Sequence, residues 1–349
     1  MPTAPPATPT ATAAGRRPRV ALAMRQDAAS AVLDDAALTA LGAVCDLAPG
    51  PVLDDLTTGR ARAVLAGTEL LVTGWGCPPL DEDVLAAAPR LRAVVHTAGS
   101  VRSHITPACW ERGIEVSSAA AANALPVAEY TVAMILLSGK HVLERARAYR
   151  TARLRDDWLA TPRNVGNHRR TIGLLSASLV GRRVVELLRP YDFDVQVYDP
   201  YLDDADTADL GVRRAALPDL FATCDVVSVH TPLLDATRGL VSRELLRSMR
   251  PGATLINTSR GAVVDQAALT EVLRAGRIRA VLDVTDPEQL PADDPLWDCE
   301  NALITPHLAG SQGNEWRRLA EHAIAETARW AAGEGFAHAV RPERLAYLA

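Results

Sequence analysis

The sequence predicts an α/β protein with two doubly wound parallel sheets, Rossmann-like or flavodoxin-like, in two domains. Three observations carry this. From Arg19 to Ser117, short apolar runs alternate with helical patterns. From Arg170 to Pro200, RTIGLLSASLVGRRVVELLRPYDFDVQVYDP reads as strand, small-residue turn, helix, second strand and acid. Beyond it, from Val226 to Ile304, further short apolar runs each end in small or polar residues.

The bulk properties fit. A chain of 349 residues suits two domains better than one. Hydrophobic residues make up 48%, but only three are Phe and six Tyr, so the cores are mostly Ala, Val and Leu. A net charge of −5 gives no electrostatic footprint for nucleic acid or an anionic membrane. No apolar run is expected to reach membrane-spanning length, Met134 to Leu137 being the closest cluster. The cysteines at 45, 77, 109, 224 and 299 are scattered, without metal-ligand spacing, and no metal is expected. They read as free thiols in a reducing cytoplasm. Residues 1–15, rich in Pro, Thr and Ala, lack the pattern of a secretory signal and read as a disordered tail.

Taken in order, Arg19–Met24 is a first strand, 28–41 a helix, Val44–Leu47 a second strand and 55–65 a helix. Strands follow at Leu70–Thr73, Leu91–His96 and Ile114–Ser117, with helical segments at 81–88 and 106–112. The turn His96-Thr97-Ala98-Gly99-Ser100 has small residues whose backbone amides can reach an anion such as a carboxylate, and equally reads as a plain turn. Trp75 follows the third strand on the same rim. His96 and His104 lie near, without assigned chemistry. A long helix is expected from Asn123 to about Arg150, with Pro126 in its first turn. The polar stretch 151–169 reads as an irregular crossing.

The unit from Thr171 to Asp199 has the order of a dinucleotide-binding βαβ motif. Its turn must bring backbone N–H groups, those of Leu179 and Val180 among them, to a pyrophosphate at a helix N-terminus. Asp199, ending the second strand, can accept from both ribose hydroxyls and repels a 2′-phosphate, which favours NAD. The glycine pattern is altered to S-x-S-x-x-G: Ser176, Ser178 and Gly181. Ser178 either donates to a phosphate oxygen or obstructs its approach. Ser176 stands where glycine makes the tight turn. The remaining strands are expected at 226–230, 253–257, 279–284 and 303–304, with helices near 217–221, 242–249 and 265–275, the last capped by Asp265. A final helix is expected over 314–333.

At strand ends stand His230-Thr231-Pro232, Thr258-Ser259-Arg260 and Thr305-Pro306-His307, where open α/β sheets bind ligands. Arg260, Glu288 and His307 share that edge. Each alone would be unremarkable.

These segments resemble the D-isomer-specific 2-hydroxyacid dehydrogenase family. The matching stretches are NALPVAEY at 123–130, the βαβ unit, HTPL at 230–233, INTSRGAVVD at 256–265, LDVTDPE at 282–288 and ITPHLAG at 304–310. The resemblance implies that His307 is the acid/base, Glu288 its carboxylate partner and Arg260 the binder of substrate carboxylate and carbonyl oxygen. It implies cofactor contacts at Ser176, Ser178, Leu179, Val180, Asp199, His230, Thr231, Pro232, Thr258, Ser259, Asp283 and His307, with Asp283 on the nicotinamide carboxamide. Substrate contacts fall on Trp75, Ala98, Gly99, Ser100 and Arg260. Formate dehydrogenase, a similar protein, has Gln in place of Glu288, so the acid favours a hydroxyacid; Gln289 replaces the family's usual Pro. The expected protein is an NAD-dependent enzyme, a homodimer acting on a small 2-hydroxy or 2-keto acid. Its substrate domain is 16–122 and 310–349, its NAD domain 123–309, with a cleft between. The same family resemblance covers a transcriptional co-repressor, so a catalytically weak NAD-binding or partner-binding module is the alternative.

Overall fold

The computed structural model describes residues 17–154, 157–163 and 165–345, so the expected tail lies outside the described residues. The chain divides into two compact units, one running to Asn123 and resuming at Gly313, the other spanning Ala124–Gln312.

The first unit carries strands β1 (Arg19–Ala23), β2 (Asp46–Leu47), β3 (Leu70–Thr73), β4 (Ala93–His96) and β5 (Glu115–Ser118). They are parallel and lie in the order β2-β1-β3-β4-β5, the flavodoxin-like winding. Every residue of β3 and β4 is buried, as central strands covered by helices on both faces must be. A short strand missed in the sequence, Ala339–Val340, adds antiparallel to β5, with Ala339 opposite Ser117. The late helix, Trp316–Ala331, buries Leu319, Ala320 and Ala323 against Val20, Val72 and Val95.

Two helical readings need correction. The helix expected over 28–41 is two, Gln26–Val32 and Asp35–Val44. Leu33 caps the end of the first and Asp34 starts the second, its carboxylate accepting from the Ala37 N–H at 2.8 Å. The helix expected from Asn123 is also two, Ala120–Gly139 and Val142–Ala152, separated where His141 adopts φ 51. Pro126 lies inside the first of these rather than in its opening turn. The small residues Ala120–Ala122 extend the helix backwards, and the 20-residue result has the length and apolar composition of a membrane span. That overturns the expectation that no run reaches such length. Its inner face is core: Ala128, Val132 and Ile135 pack with Ile172 and Leu174.

The second unit is a seven-stranded parallel sheet: β6 (Thr171–Leu175), β7 (Asp194–Tyr198), β8 (Arg213–Arg214), β9 (Val226–Val229), β10 (Thr254–Asn257), β11 (Arg279–Leu282) and β12 (Ala302–Ile304). The order is β12-β11-β10-β9-β6-β7-β8. The chain winds one way from β6 to β8 and the other from β9 to β12, so the crevice at the carboxyl ends of β6 and β9 is the topological switch point. β8 went unread because two arginines carry no apolar signal. The five cysteines are free and buried. Burial pushes Cys45 up to about 11 and Cys77 and Cys224 to about 12, so these thiols stay protonated and unreactive near neutrality.

Candidate active site

Because the second sheet is parallel, the segments that follow β6, β9, β10, β11 and β12 all emerge on one edge. Side chains stitch them together there. Thr231 Oγ1 donates to the Leu175 carbonyl at 3.1 Å, joining the β9 loop to the end of β6. The Ser259 hydroxyl donates to the Thr231 carbonyl, joining β10 to β9. Thr258 meets Thr131 of the long helix at 3.2 Å. Thr231, Thr258 and Ser259 are therefore structural links in addition to any ligand contact.

The turn after β6 is built around Asp199. The register that pairs Leu175 with Tyr198 sets Ser176 beside Asp199. Ser176 occupies φ 87, the left-handed region that glycine enters without cost. Its hydroxyl donates to Asp199 Oδ2 at 3.0 Å, and the Ala177 N–H donates to the same oxygen at 2.8 Å. The Tyr201 N–H donates to Oδ1 at 2.9 Å. Ser178 is the N-cap of the Leu179–Leu188 helix, its Oγ accepting from the Gly181 N–H at 3.3 Å. The accepting role leaves the Ser178 proton available. No partner is seen for the N–H groups of Leu179 and Val180 among the described residues. Gly181 is required by space, since a Cβ there would lie 2.1 Å from the Ser176 carbonyl oxygen.

His230 stands at the other side of the switch point, 5% exposed, with neither ring nitrogen hydrogen-bonded among the described residues. Burial pushes its pKa down to about 3, so it is neutral. A buried imidazole with two orphaned nitrogens is a polar group in want of a partner. Together with the unpaired amides, the glycine cradle and an acid at the end of β7, it fits a dinucleotide seated across this crevice. Pro232 follows at the same strand end.

The reacting candidates lie further along the edge. His307 Nδ1 is 2.5 Å from Glu288 Oε1. The two side chains are 49% and 57% exposed, and an ion pair this open adds at most about 1 kcal/mol to stability. Its consequence is orientation: Nδ1 faces the acid, and Nε2 remains for other chemistry. Arg260 is mostly buried; burial lowers its pKa and the charge of Glu288 raises it. Its Nη1 donates to the Ser259 carbonyl at 2.7 Å. Gly261 lets the β10 loop lie against the β11 loop, because a Cβ there would sit 2.0 Å from the Thr285 carbonyl carbon. That close approach brings Arg260 within electrostatic reach of Glu288.

Asp283 has an anchoring part not legible in the sequence. It is 1% exposed. Its Oδ1 accepts from Thr305 Oγ1 at 2.6 Å and the Leu308 N–H at 2.9 Å, and its Oδ2 from the Ala309 N–H at 2.9 Å. The His307 N–H itself donates to the Asp283 carbonyl at 2.9 Å. Asp283 thus fixes the strap that carries the imidazole. Tyr130, from NALPVAEY, extends this network through Thr305 at 2.9 Å.

In the first unit, Trp75 is 39% exposed beyond β3. Ala98 is buried, and Gly99 and Ser100 are half-buried beyond β4. Ser118 donates to the carbonyls of Ala98 and Gly99, at 3.2 and 2.5 Å, turning those acceptors inward. No partner is seen for the Gly99 and Ser100 amides among the described residues. A Cβ on Gly99 would meet nothing nearer than 4.0 Å, so glycine here keeps space open rather than relieving a clash. His96 and His104 are buried on Thr73 Oγ1 at 3.0 and 3.2 Å and form part of the core.

Residues 132–309 match the family described as D-isomer specific 2-hydroxyacid dehydrogenase, NAD binding domain. The (S)-sulfolactate dehydrogenase of Chromohalobacter salexigens is 34% identical over 291 residues, 80% of this chain and 90% of that one. The D-3-phosphoglycerate dehydrogenase of Mycobacterium leprae is 32% identical over 257 residues, 73% of this chain and 48% of that one; the chain spans about half the length of that relative. A crystal structure of a Thermus thermophilus protein superposes with a TM-score of 0.72 at 29% identity, covering 93% of this chain and all of the other. The matched domain, its switch-point crevice and these relatives together show that the chain belongs to the D-isomer specific 2-hydroxyacid dehydrogenase family.

Proposed function

We propose that the chain is an NAD-dependent oxidoreductase that interconverts a D-2-hydroxyacid and a 2-ketoacid. The observation that carries the reading is the His307–Glu288 pair beside Arg260 on the carboxyl edge of the nucleotide-binding sheet. When bound, the nicotinamide supplies or accepts hydride, which this chain's side chains cannot do. Leu179 and Val180 offer amides to the pyrophosphate, and Asp199 offers an acceptor to the adenosine ribose. His230, Thr231, Pro232, Thr258 and Ser259 line the seat, and the acceptor site that the described residues leave on Asp283 suits a carboxamide N–H.

In the reducing direction, Nε2 of protonated His307 gives its proton to the substrate oxygen as the carbonyl carbon gains hydride. In the oxidising direction, neutral Nε2 takes that proton back. Glu288 holds the ring with Nδ1 toward its carboxylate, which leaves Nε2 facing the substrate oxygen. Arg260 grips the substrate carboxylate with paired N–H groups and stabilises charge growing on the carbonyl oxygen. Within the first unit taken by itself, the Gly99 and Ser100 amides suit carboxylate oxygens, and Trp75 presents apolar surface. The test is a panel of 2-ketoacids with NADH, read by loss of nicotinamide absorbance; no turnover on any member would contradict the reading.

The altered turn favours one second reading, a weak NAD-binding or partner-binding module. NADH titration separates the two: an enzyme must bind it, and a chain that binds none is not this enzyme. A homodimer, the assembly this reading assigns, is supported by the Val142–Ala152 helix, which buries no residue. Tyr149 on it and Leu154 just beyond are 60% and 74% exposed. A cytoplasmic setting and a small-molecule partner complete the proposal.

A further inference from the structure

We propose that Ser176 is a positioning residue for cofactor choice: its hydroxyl locks Asp199 so that one carboxylate edge faces the ribose and excludes a 2′-phosphate. The inference rests on the NAD reading above and deepens it. A residue at φ 87 would ordinarily be glycine, so a serine there carries a conformational cost that its hydroxyl must offset. Among the described residues that hydroxyl has one partner, Asp199 Oδ2 at 3.0 Å. With the Ala177 N–H on the same oxygen, Oδ2 is saturated by the turn itself. Among the described residues Oδ1 holds only the Tyr201 N–H, so it keeps an acceptor edge there. Asp199 is 9% exposed, and its carboxylate cannot swing without breaking these bonds.

Two consequences follow. The open edge of Oδ1 can accept from a ribose hydroxyl without first being reorganised, which is where preorganised affinity comes from. The fixed negative charge also stays where a 2′-phosphate would have to sit. The nearby cation is committed elsewhere: Arg182 donates to the Ala177 carbonyl at 3.1 Å and to Asp206 at 2.9 Å. Glycine at 176, as the usual pattern has it, offers no such donor and leaves Asp199 one bond looser.

The experiment is titration of the full chain with NADH and with NADPH, followed by nicotinamide fluorescence. It uses wild type, Ser176→Gly, Asp199→Ala and the double variant. Ser176→Gly exchanges the hydroxyl's bond for relief of the backbone, so its thermal midpoint should stay within about 4 °C of wild type, which removes misfolding as an explanation. Its NADH Kd should nevertheless rise about 10-fold, as for loss of a hydrogen bond to a charged group, and its preference over NADPH should shrink by a similar factor. In the Asp199→Ala background the same change should alter neither Kd by more than about 2-fold, because the serine acts through the acid. Unchanged or tighter NADH binding by Ser176→Gly would overturn the proposal, as would an equal loss in both backgrounds. Failure of wild type to bind either nucleotide would overturn the NAD reading itself, and this inference with it.

Discussion

His307 holds φ 52, a conformation uncommon for a non-glycine residue, and does so because the strap around it is tied at both ends to Asp283. Its partner Glu288 is half exposed, so removing the charge should cost little stability and much rate. Glu288→Gln is expected to keep a thermal midpoint within about 2 °C of wild type while kcat for ketoacid reduction falls at least about 10-fold. Parallel melting and turnover measurements check this; an equal loss in both would make the acid structural. The shared strand-end placement of Arg260, Glu288 and His307 was legible in the sequence, whereas the roles given to them came from the family resemblance. The Ser176–Asp199 bond was not. It depends on the β6–β7 register, which sets residues 23 positions apart side by side.

Elements explain the next tier. Ser178 was open between phosphate ligand and obstruction, and the helix resolves its structural part, because a serine just before Leu179 is where an N-cap belongs. Ser178→Ala should cost about 1 kcal/mol and Ser178→Gly only a few tenths, read from urea midpoints. Equal losses would remove the cap from the account. Asp283 is more demanding, since one carboxylate satisfies three donors of the β12 strap. Asp283→Asn turns an amide donor toward a backbone N–H and should cost about 2–3 kcal/mol, with kcat falling further than stability alone explains. An Asn variant of wild-type stability and turnover would show that the strap holds itself. Strand positions were readable from apolar runs of four or five residues. The split at Asp34 and the one at His141 were not, because periodicity continues across both breaks and only local capping or a left-handed residue interrupts them.

The whole molecule titrates through its buried histidines. Burial pushes His96 and His230 down to about 3, and His104 and His322 to about 4. Each is neutral when folded and has an ordinary pKa near 6.5 when unfolded. The unfolded chain therefore binds more protons below pH 6.5, and stability is full above that value and declines as pH falls toward 4. Urea midpoints should begin to drop above pH 5, before the carboxylates titrate; a flat profile from pH 7 to 5 would contradict the burial of these rings. The winding of both sheets was foreseeable in class from the alternation of elements. The antiparallel Ala339–Val340 strand was not, because two residues carry no pattern. The reading of this molecule as a dehydrogenase rests most directly on the imidazole at 307. Steady-state NADH oxidation with the best 2-ketoacid, compared between wild type and His307→Ala at matched folded concentration, should fall at least about 10²-fold. Equal turnover by the two proteins would contradict it.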